Sequence, residues 1–252
     1  MYQNQTVAVV IPALNEEQSI ERVVGGLRDL QDTNTCQPLI DDIVVCDNGS
    51  TDATALLAKQ AGARVVFESE PGYGAACLAA ISALRSPDIV VFVDADHSVV
   101  SEDVPSLLAP FGLGADLVIG SRALGDQQRG ALTFQQKFGN WLASTLINIL
   151  WKHPFTDLGP FRAVTFRCLN GLNMQDRAFG WTVEMQVKAI QNQYHVSEVP
   201  VSTLKRMGRS KISGTISGTI GAAKGIFGMI FKLYLDERKT NNAMPARIRN
   251  PK

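Results

Sequence analysis

Two carboxylates separated by one residue follow the most apolar run of the chain. Asp94 and Asp96 come directly after Ile89-Val90-Val91-Phe92-Val93, which predicts a buried strand. In an extended turn alternate residues point to the same side, so both carboxylates can converge on one ligand. Divalent cations prefer oxygen ligands, and Mg²⁺ commonly takes one or two carboxylates together with substrate phosphates. The pair therefore indicates a site for a divalent cation such as Mg²⁺, and the alternative is two solvated loop acids.

Two further features could contact a nucleotide. Asp47 ends a second apolar run, at residues 43–46. A carboxylate there can accept a hydrogen bond from a base or a ribose hydroxyl, or it can start the next helix. The turn at Gly72 and Gly74 enters a predicted helix, where free backbone N–H groups can meet a phosphate. Because position 77 is cysteine, the turn does not complete the G-x-G-x-x-G pattern of dinucleotide-binding dehydrogenases.

Short apolar runs alternate with helical patterns and must position these side chains. The predicted strands cover residues 7–11, 43–46, 64–67, 89–93 and 116–119. The alternation favours an α/β fold with a mostly parallel sheet and helices on both faces. Ligands of such sheets bind at the carboxyl ends of the strands. Those ends carry Asn15, Glu16, Asp47, Asp94, Asp96 and Arg122, and Asn15 is expected to cap the first helix.

The composition supports a globular protein with an uneven charge distribution. The chain has 252 residues, is 45% hydrophobic and carries a formal net charge of zero, which excludes global disorder. Residues 1–100 carry a net charge of −9 and residues 201–252 a net charge of +9, which suggests two different partners. The four cysteines show no C-x-x-C spacing, so we expect reduced thiols. We find no signal-peptide pattern and no uncharged run that would span a bilayer.

The basic end contains an apolar-rich segment at residues 212–235. Its apolar residues recur at helical spacing, and Lys224 and Lys232 could extend their ammonium groups to water or lipid headgroups. Such a helix can lie in a membrane interface, or it can pack on the sheet or against another subunit. Residues 141–151, with a tryptophan at each end, form a second candidate interfacial element. The chain from residue 240 is expected to be a disordered tail.

Three motifs taken together resemble the family-2 inverting glycosyltransferases of the GT-A fold. They are Val9-Val10-Ile11-Pro12-Ala13-Leu14-Asn15-Glu16-Glu17, Val45-Cys46-Asp47-Asn48-Gly49-Ser50-Thr51-Asp52 and Asp94-Ala95-Asp96. The second half resembles the polyprenyl-phosphate (dolichyl-phosphate) hexose synthase branch. The residues that carry this likeness are Gly120-Ser121-Arg122, residues 156–163, Trp181-Thr182-Val183-Glu184-Met185, residues 198–201 and residues 206–214. The resemblance covers roughly residues 7–235 and implies a Rossmann-like sheet followed by a C-terminal amphipathic helical segment.

The resemblance also implies a role for each matching position. The nucleotide pocket would be lined by Pro12, Ala13, Asn15, Glu16, Glu17, Asp47, Gly72, Gly74 and Asp94. Asp94 and Asp96 would hold Mg²⁺ or Mn²⁺ against the diphosphate. Arg122 and Lys137 would meet the acceptor phosphate or the diphosphate. The diphosphate would be closed over by Arg206, Arg209, Ser210 and Lys211.

The acidic motif departs from the family at one point. Relatives often have a glutamine that helps hold the metal two residues after the second aspartate, whereas here Asp96 is followed by His97 and Ser98. Whether either residue contributes to the metal site is left open.

The need for a general base depends on the nucleophile. Inverting sugar transfer is an in-line displacement, and an ionised lipid phosphate needs no base. A hydroxyl acceptor needs one, for which Asp157 and Glu184 are the candidates. Each of these acids has a structural alternative, such as an ion pair between Asp157 and Arg162.

We therefore predict a hexosyltransferase with one GT-A domain at residues 1–239. A nucleotide and metal half covers about residues 1–125, and an acceptor half covers about residues 126–239. The enzyme would move a hexose from a UDP-glucose or GDP-mannose type donor to a polyprenyl phosphate, with inversion. It would be cytoplasmic and peripheral on an anionic membrane surface at the inner face, would not bind nucleic acid, and could form a homo-oligomer. The alternatives are a soluble or glycan hydroxyl acceptor, and a non-catalytic protein that binds nucleotide sugars.

Overall fold

The computed structural model describes residues 1–32, 35–208 and 216–243, which fold around one seven-stranded sheet. The strands are β1 (Val7–Ala13), β2 (Asp42–Asp47), β3 (Arg64–Phe67), β4 (Ile89–Phe92), β5 (Leu117–Ser121), β6 (Arg162–Thr165) and β7 (Val196–Pro200). The helices are α1 (Ile20–Arg28), α2 (Thr54–Gln60), α3 (Tyr73–Ser82), α4 (Val104–Leu108), α5 (Phe134–Trp151), α6 (Phe166–Leu172), α7 (Trp181–Gln191) and α8 (Ile216–Ala243). Two 3₁₀ segments, Ser101–Asp103 and Ala109–Leu113, flank α4. The α/β class predicted from the sequence is confirmed.

The strand order β3-β2-β1-β4-β6-β5-β7 creates a crevice beside β1. The chain runs outward through β2 and β3 on one side of β1 and then returns to place β4 on the other side. The direction of travel thus reverses between β1 and β4, which is where open α/β sheets bind ligands. The carboxyl ends of these two central strands lead into the segments that carry Glu16 and Asp96.

The apolar runs form strands because both faces of the sheet are covered. Alternate residues of β1 enter opposite cores, with Val9 and Ile11 on one side and Val10 on the other, all fully buried. The first core contains side chains from α1, α2 and α4, and the second contains side chains from α3 and α5 to α8. Helices therefore cover both faces of the sheet, as the sequence predicts.

The structure corrects one local expectation and adds one strand that the sequence does not predict. Asn15 does not cap α1, which begins at Ile20 after Ser19. Asn15 instead has a positive φ of 51°, and its side-chain Oδ1 accepts hydrogen bonds from Thr51. The sequence does not predict the strand β6, which runs antiparallel between β4 and β5, because its four residues, Arg162–Thr165, include only two apolar ones and form no apolar run. Residues 198–201, which carry part of the family likeness, overlap β7 at the edge of the sheet.

The C-terminal helix is partly a core helix. Met229, Ile230 and Leu233 of α8 are buried in the second core, while Phe231 and Leu235 are exposed. The helix continues to Ala243, past the expected start of the tail at residue 240, and residues 244–252 lie outside the described residues. Within the described ranges, no helix is both long enough and apolar enough to cross a bilayer.

A substitution at Gly74 tests how tightly α3 packs against the segment before α7. A Cβ at Gly74 would overlap the backbone carbonyl of Asp176, which cannot swing away as a side-chain tip could. We expect Gly74→Ala to lower the free energy of unfolding by about 2 kcal/mol or more, measured by urea denaturation. The matched control is Gly25→Ala in α1, where a Cβ meets nothing within 4 Å. This control should instead gain about 0.5–1 kcal/mol. Equal effects of the two changes would contradict the packing explanation.

Candidate active site

Three adjoining cavities open at the carboxyl edge of the sheet. The inner cavity, of about 500 Å³, lies in the crevice beside β1. Its lining includes Pro12, Ala13, Glu16, Asn48, Gly72, Tyr73, Asp94, Asp96, Phe179 and Arg206. The junction cavity, of about 170 Å³, shares Asp94, Asp96 and Arg206 with the inner cavity and adds Arg122. The outer cavity, of about 520 Å³, shares Arg122 with the junction cavity and extends along α5 past Lys137.

Asp94 and Asp96 stand where the inner and junction cavities meet. Burial and the like charge of Asp96 raise the pKa of Asp94 to about 7. The Tyr73 hydroxyl donates a hydrogen bond to Asp94 Oδ1 over 3.2 Å, and Asp96 Oδ1 accepts one from the Ser98 backbone N–H. Two crowded carboxylates at a cavity wall would be stabilised by a cation placed between them and a substrate phosphate. The two carboxylates therefore fit a divalent metal ion that takes its remaining ligands from substrate and water.

The described residues contain no cluster of three or more His, Cys, Asp or Glu side chains that could hold a metal unaided. His97 lines a small separate cavity with Arg22 and Leu27, outside the inner and junction cavities. Ser98 lines the junction cavity, but its backbone N–H is bonded to Asp96. The geometry therefore offers Asp94 and Asp96, and not His97, as the carboxylate pair for a metal.

Arg206 is held over this acidic pair by a strap of residues 201–208. Its guanidinium lies 3.0 Å from Glu16 Oε1 and 3.5 Å from Asp96 Oδ2. The strap is anchored by backbone bonds from Leu204 N–H to the Ser98 carbonyl and from Met207 N–H to the Asp96 carbonyl. The strap thus places one cation at the shared wall of the inner and junction cavities. Arg209, Ser210 and Lys211, predicted to act beside Arg206, lie outside the described residues.

Arg122 is fixed by a fully buried carboxylate. Asp157 accepts hydrogen bonds from the Arg122 backbone N–H, Nε and Nη2 over 2.7–2.8 Å, and Asp157 has no exposed surface. A bidentate pair of this kind sets the orientation of the guanidinium plane. Asp157 itself is supported by its neighbours, since Glu198 accepts hydrogen bonds from the Thr156 and Asp157 backbone N–H groups. Asp157 therefore positions Arg122, and its predicted alternative partner Arg162 instead donates to backbone carbonyls and Gln186.

Glu184 is buried at the start of α7 and lines none of the three cavities. Its carboxylate accepts hydrogen bonds from the Gln175 and Asp176 backbone N–H groups and forms an ion pair with Lys188 at 2.7 Å. These contacts hold the segment before α7, whose carbonyls pack on α3. The contacts are those of the structural alternative for Glu184, and its role as a general base stays a prediction.

Four predicted nucleotide ligands, Asn15, Glu17, Asp47 and Gly74, do not line the inner cavity. Asp47 is buried and accepts a hydrogen bond from the Ser50 backbone N–H in the turn before α2, so it does not start that helix, which begins at Thr54. Glu17 is exposed and accepts a hydrogen bond from the Ala53 backbone N–H. Asn15 is committed to Thr51. These residues shape the loops around the cavity, so direct contacts to the nucleotide stay a prediction for them.

The Gly72–Gly74 turn is not a free phosphate cradle. The Gly72 backbone N–H donates to Asn48 Oδ1, and the Gly74 backbone N–H donates to the Ala178 carbonyl. Gly72 lines the inner cavity, whereas Gly74 packs against the segment before α7. The glycines permit close backbone approach, which differs from the predicted supply of free N–H donors.

Three residues that line the inner cavity, Asn48, Tyr73 and Phe179, are not predicted as site residues from the sequence. Asn48 ties the turn after β2 to the segment at Glu68 and Glu70 through its side-chain amide. Tyr73 contacts Asp94, and Phe179 arrives from the loop before α7. Asn48 follows Asp47 directly and could have been singled out on that ground. No local pattern signals that a residue as distant as Phe179 reaches this crevice.

Comparison with known proteins agrees with this architecture. The profile of Glycosyl transferase family 2 matches residues 8–170. An uncharacterised glycosyltransferase of Mycobacterium tuberculosis is 36% identical over 217 residues, or 85% of this chain and 93% of that protein. The dolichyl-phosphate hexose transferase of Haloferax volcanii is 29% identical over 240 residues, or 94% of this chain and 97% of that protein.

A solved structure shows the same fold. Glucosyl-3-phosphoglycerate synthase from Mycobacterium tuberculosis, in complex with Mn²⁺, UDP-glucose and phosphoglyceric acid, matches with a TM-score of 0.73 and 25% identity. The match covers 92% of this chain and 80% of that chain. The GT-A type of sheet expected from the sequence motifs is therefore confirmed.

The raised pKa of Asp94 predicts a pH-dependent stability. The folded protein binds this proton more tightly than the unfolded chain, in which the carboxyl has its ordinary pKa of 3.8. The carboxyl therefore destabilises the fold progressively as the pH rises from about 4 to 7. We expect Asp94→Asn, without added metal, to have a higher Tm than wild type, with the gap widening between pH 5 and pH 8. Each kcal/mol relieved should shift Tm by about 2–4 °C.

Asp88→Asn is the matched control, measured by the same thermal scans. Hydrogen bonds from Thr6 lower the pKa of Asp88, so its carboxylate stabilises the fold. The control should lower Tm by a constant amount over pH 5–8. A gap for Asp94→Asn that does not change with pH would contradict the electrostatic explanation.

Proposed function

The chain belongs to Glycosyl transferase family 2, and from that premise we propose that it transfers a hexose from a nucleotide sugar to a polyprenyl phosphate. The donor is of the UDP-glucose or GDP-mannose type, and the transfer inverts the anomeric carbon. The reaction takes place at the cytoplasmic face of the membrane. The family and the fold support a glycosyltransferase rather than a non-catalytic protein that binds nucleotide sugars.

The inner cavity is our candidate for the donor site. Its volume of about 500 Å³ falls in the usual range for small-molecule sites. It lies at the switch point between β1 and β4 and ends on Asp94 and Asp96. The related synthase, crystallised with Mn²⁺ and UDP-glucose, supports a nucleotide-sugar donor and a divalent metal on the same fold.

The charges at the junction cavity suit the departure of a nucleoside diphosphate. Negative charge develops on this leaving group as the bond to the anomeric carbon breaks, while positive charge develops on the sugar. Arg206, held between Glu16 and Asp96, can turn toward the diphosphate and stabilise the negative charge. A Mg²⁺ or Mn²⁺ ion held by Asp94 and Asp96 would neutralise the diphosphate when bound.

The acceptor assignment depends on one observation: both candidate bases already have hydrogen-bond or ion-pair partners within the protein. Asp157 accepts hydrogen bonds from Arg122. Glu184 accepts hydrogen bonds from backbone N–H groups and forms an ion pair with Lys188. A hydroxyl nucleophile would need one of them to take its proton, whereas a phosphate is already ionised near neutral pH. Arg122 stands between the junction and outer cavities with its guanidinium plane fixed, as recognition of a phosphate requires. Lys137 adds a second cation at the outer cavity.

A soluble phosphorylated acceptor is the second candidate. The synthase of similar fold was crystallised with phosphoglyceric acid, and the outer cavity is lined by polar side chains such as Gln127 and Ser144. The similarity to the Haloferax volcanii dolichyl-phosphate hexose transferase over nearly the whole of both chains favours the lipid acceptor. Assays with both acceptor types discriminate between the two.

Donor binding should depend on Asp96. We expect UDP-glucose or GDP-mannose with Mn²⁺ to raise the Tm of the wild-type protein, because ligand binding stabilises the folded state. Asp96→Asn should weaken this binding by about tenfold or more, since it removes one carboxylate next to the diphosphate. Asp29→Asn, on an exposed carboxylate after α1, is the matched control and should behave as wild type. An unchanged metal-dependent shift in Asp96→Asn would refute the metal assignment.

Turnover should depend on Arg122 and not on Glu184. We expect Arg122→Gln to lower kcat for transfer from the donor to detergent-solubilised undecaprenyl phosphate by about 100-fold or more. Glu184→Gln should lower stability but keep kcat within about threefold of wild type per folded molecule, since Glu184 touches none of the three cavities. Product mass and anomeric configuration provide the readout.

Two outcomes would contradict this assignment. A folded Glu184→Gln variant without turnover would identify Glu184 as a base and favour a hydroxyl acceptor. Transfer to 3-phosphoglycerate but not to undecaprenyl phosphate would establish the soluble alternative.

A further inference from the structure

Helix α5 exposes an apolar stripe along most of its length. At 100° per residue, its exposed large apolar side chains fall within a sector of about 100°. They are Phe134 (79% exposed), Phe138 (50%), Trp141 (59%), Leu142 (38%) and Ile149 (68%). Three of the rings form a continuous row, with centroid distances of 6.3 Å from Phe134 to Phe138 and 5.8 Å from Phe138 to Trp141. We call this surface the α5 stripe.

The α5 stripe is presented by a helix that is fixed in place. A capping box of Thr133 and Gln136 closes its N-terminus, and Ala143 and Ile147 anchor its opposite side in the second core. The side chains of Asn140 and Asn148 bond to the backbone at residues 155–158. Contiguous exposed apolar surface of this kind usually marks an interaction site.

The charges around the stripe favour an anionic partner. Residues 127–156 contain three basic residues, Arg129, Lys137 and Lys152, and no acidic residue. Aromatic side chains flanked by Lys and Arg are typical of helices that lie in the interface of an anionic bilayer. Tryptophan in particular is enriched at the level of the headgroups.

The stripe borders the outer cavity. Lys137, Trp141 and Thr145 line that cavity, and Phe138 and Leu142 lie on the neighbouring side of the same helix. Arg122 lines both the outer cavity and the junction cavity. A surface bound to the α5 stripe therefore meets the entrance that leads to Asp94 and Asp96.

Helix α8 is less suited to this role than its sequence suggests. The buried Met229, Ile230 and Leu233 use part of its apolar surface for the second core. Among the α8 side chains that the structure describes, the large exposed apolar ones are Ile220, Phe231 and Leu235, which are spread over four turns. The aromatic row lies on α5.

We propose that the α5 stripe docks on an anionic lipid bilayer, with its aromatic side chains at the boundary between headgroups and acyl chains. In this orientation the outer cavity opens toward the membrane surface, where Arg122 and Lys137 can receive the phosphate of a lipid acceptor. The orientation of the acceptor rests on the proposed function, whereas bilayer binding through α5 is measured separately from any transfer.

The test compares full-length variants in vesicle co-sedimentation. Phe134→Gln/Phe138→Gln removes two rings of the stripe and leaves the residues that line the cavities intact. Phe67→Gln/Leu113→Gln is the matched control, because these residues are 67% and 85% exposed on other parts of the surface. Vesicles of phosphatidylcholine with phosphatidylglycerol should bind the wild type and the control, and the α5 variant should bind about tenfold more weakly or worse. Binding should fall as salt rises, because the basic flank is screened.

Tryptophan emission and activity provide independent readouts. Trp141 is 59% exposed, whereas Trp181 is 1% exposed and Trp151 is half-buried with its indole N–H bonded to Glu237. A blue shift on vesicle addition should therefore disappear in Trp141→Phe. The α5 variant should lose turnover on undecaprenyl phosphate in vesicles and keep it on geranyl phosphate in solution. Wild-type binding to vesicles without transfer to either phosphate would overturn the proposed function but leave the docking surface standing.

Three results would overturn the docking proposal. The first is wild-type protein that does not bind anionic vesicles. The second is an α5 variant that binds them as wild type does. The third is a wild-type dimer that the α5 variant dissociates without any effect on lipid binding, as measured by sedimentation equilibrium, because the stripe would then be a contact between two copies of the chain.

Discussion

The site is organised by the repulsion between Asp94 and Asp96 at the switch point of the sheet. Two carboxylates so close together are stable only with compensating positive charge, and the rest of the site supplies it. Arg206 comes from the strap after β7, and Arg122 comes from the end of β5. Burial and Asp96 still raise the pKa of Asp94, so the compensation is incomplete without a ligand. This residual repulsion is what a metal ion with a diphosphate would relieve, and it explains why the acidic and basic parts of the chain meet here.

A second network fixes Arg122 beside the outer cavity. Arg162 is fully buried and donates hydrogen bonds to backbone carbonyls and to Gln186, which in turn donates to the Asp157 carbonyl. Its burial lowers the pKa of Arg162 to about 10, so the guanidinium still carries its charge at neutral pH. Through this network α7 holds Asp157, and Asp157 holds Arg122. The rigidity of Arg122 thus comes from Asp157, which the sequence offers as a candidate base, and from Arg162 and Gln186, to which the sequence assigns no catalytic role.

The carboxylates illustrate what sequence patterns can and cannot separate. Asp94 and Asp96 lie at the crevice, where the sequence places them, because a buried strand directly before them fixes their position. Asp157 and Glu184 lie in motifs that resemble those of the family, yet their partners come from residues that are distant in sequence or from backbone N–H groups. A short motif does not specify which backbone N–H groups will lie next to these carboxylates in the folded chain. Asn15 and Asp47 likewise have loop hydrogen bonds that no short motif specifies.

The sequence by itself determined the α/β class, the positions of the main strands, the family and the placement of the acidic pair. These follow from local apolar periodicity and from motifs a few residues long. Only the tertiary structure decided the antiparallel strand β6, the chain of three cavities and the division of apolar surface between α5 and α8. The segment at residues 212–235 has a helical pattern that suits a core and a membrane interface equally well. Packing against α7 placed part of that surface in the core, whereas the aromatic row of α5 found no partner among the described residues. Periodicity specifies that a face is apolar, but long-range packing decides which apolar face is covered.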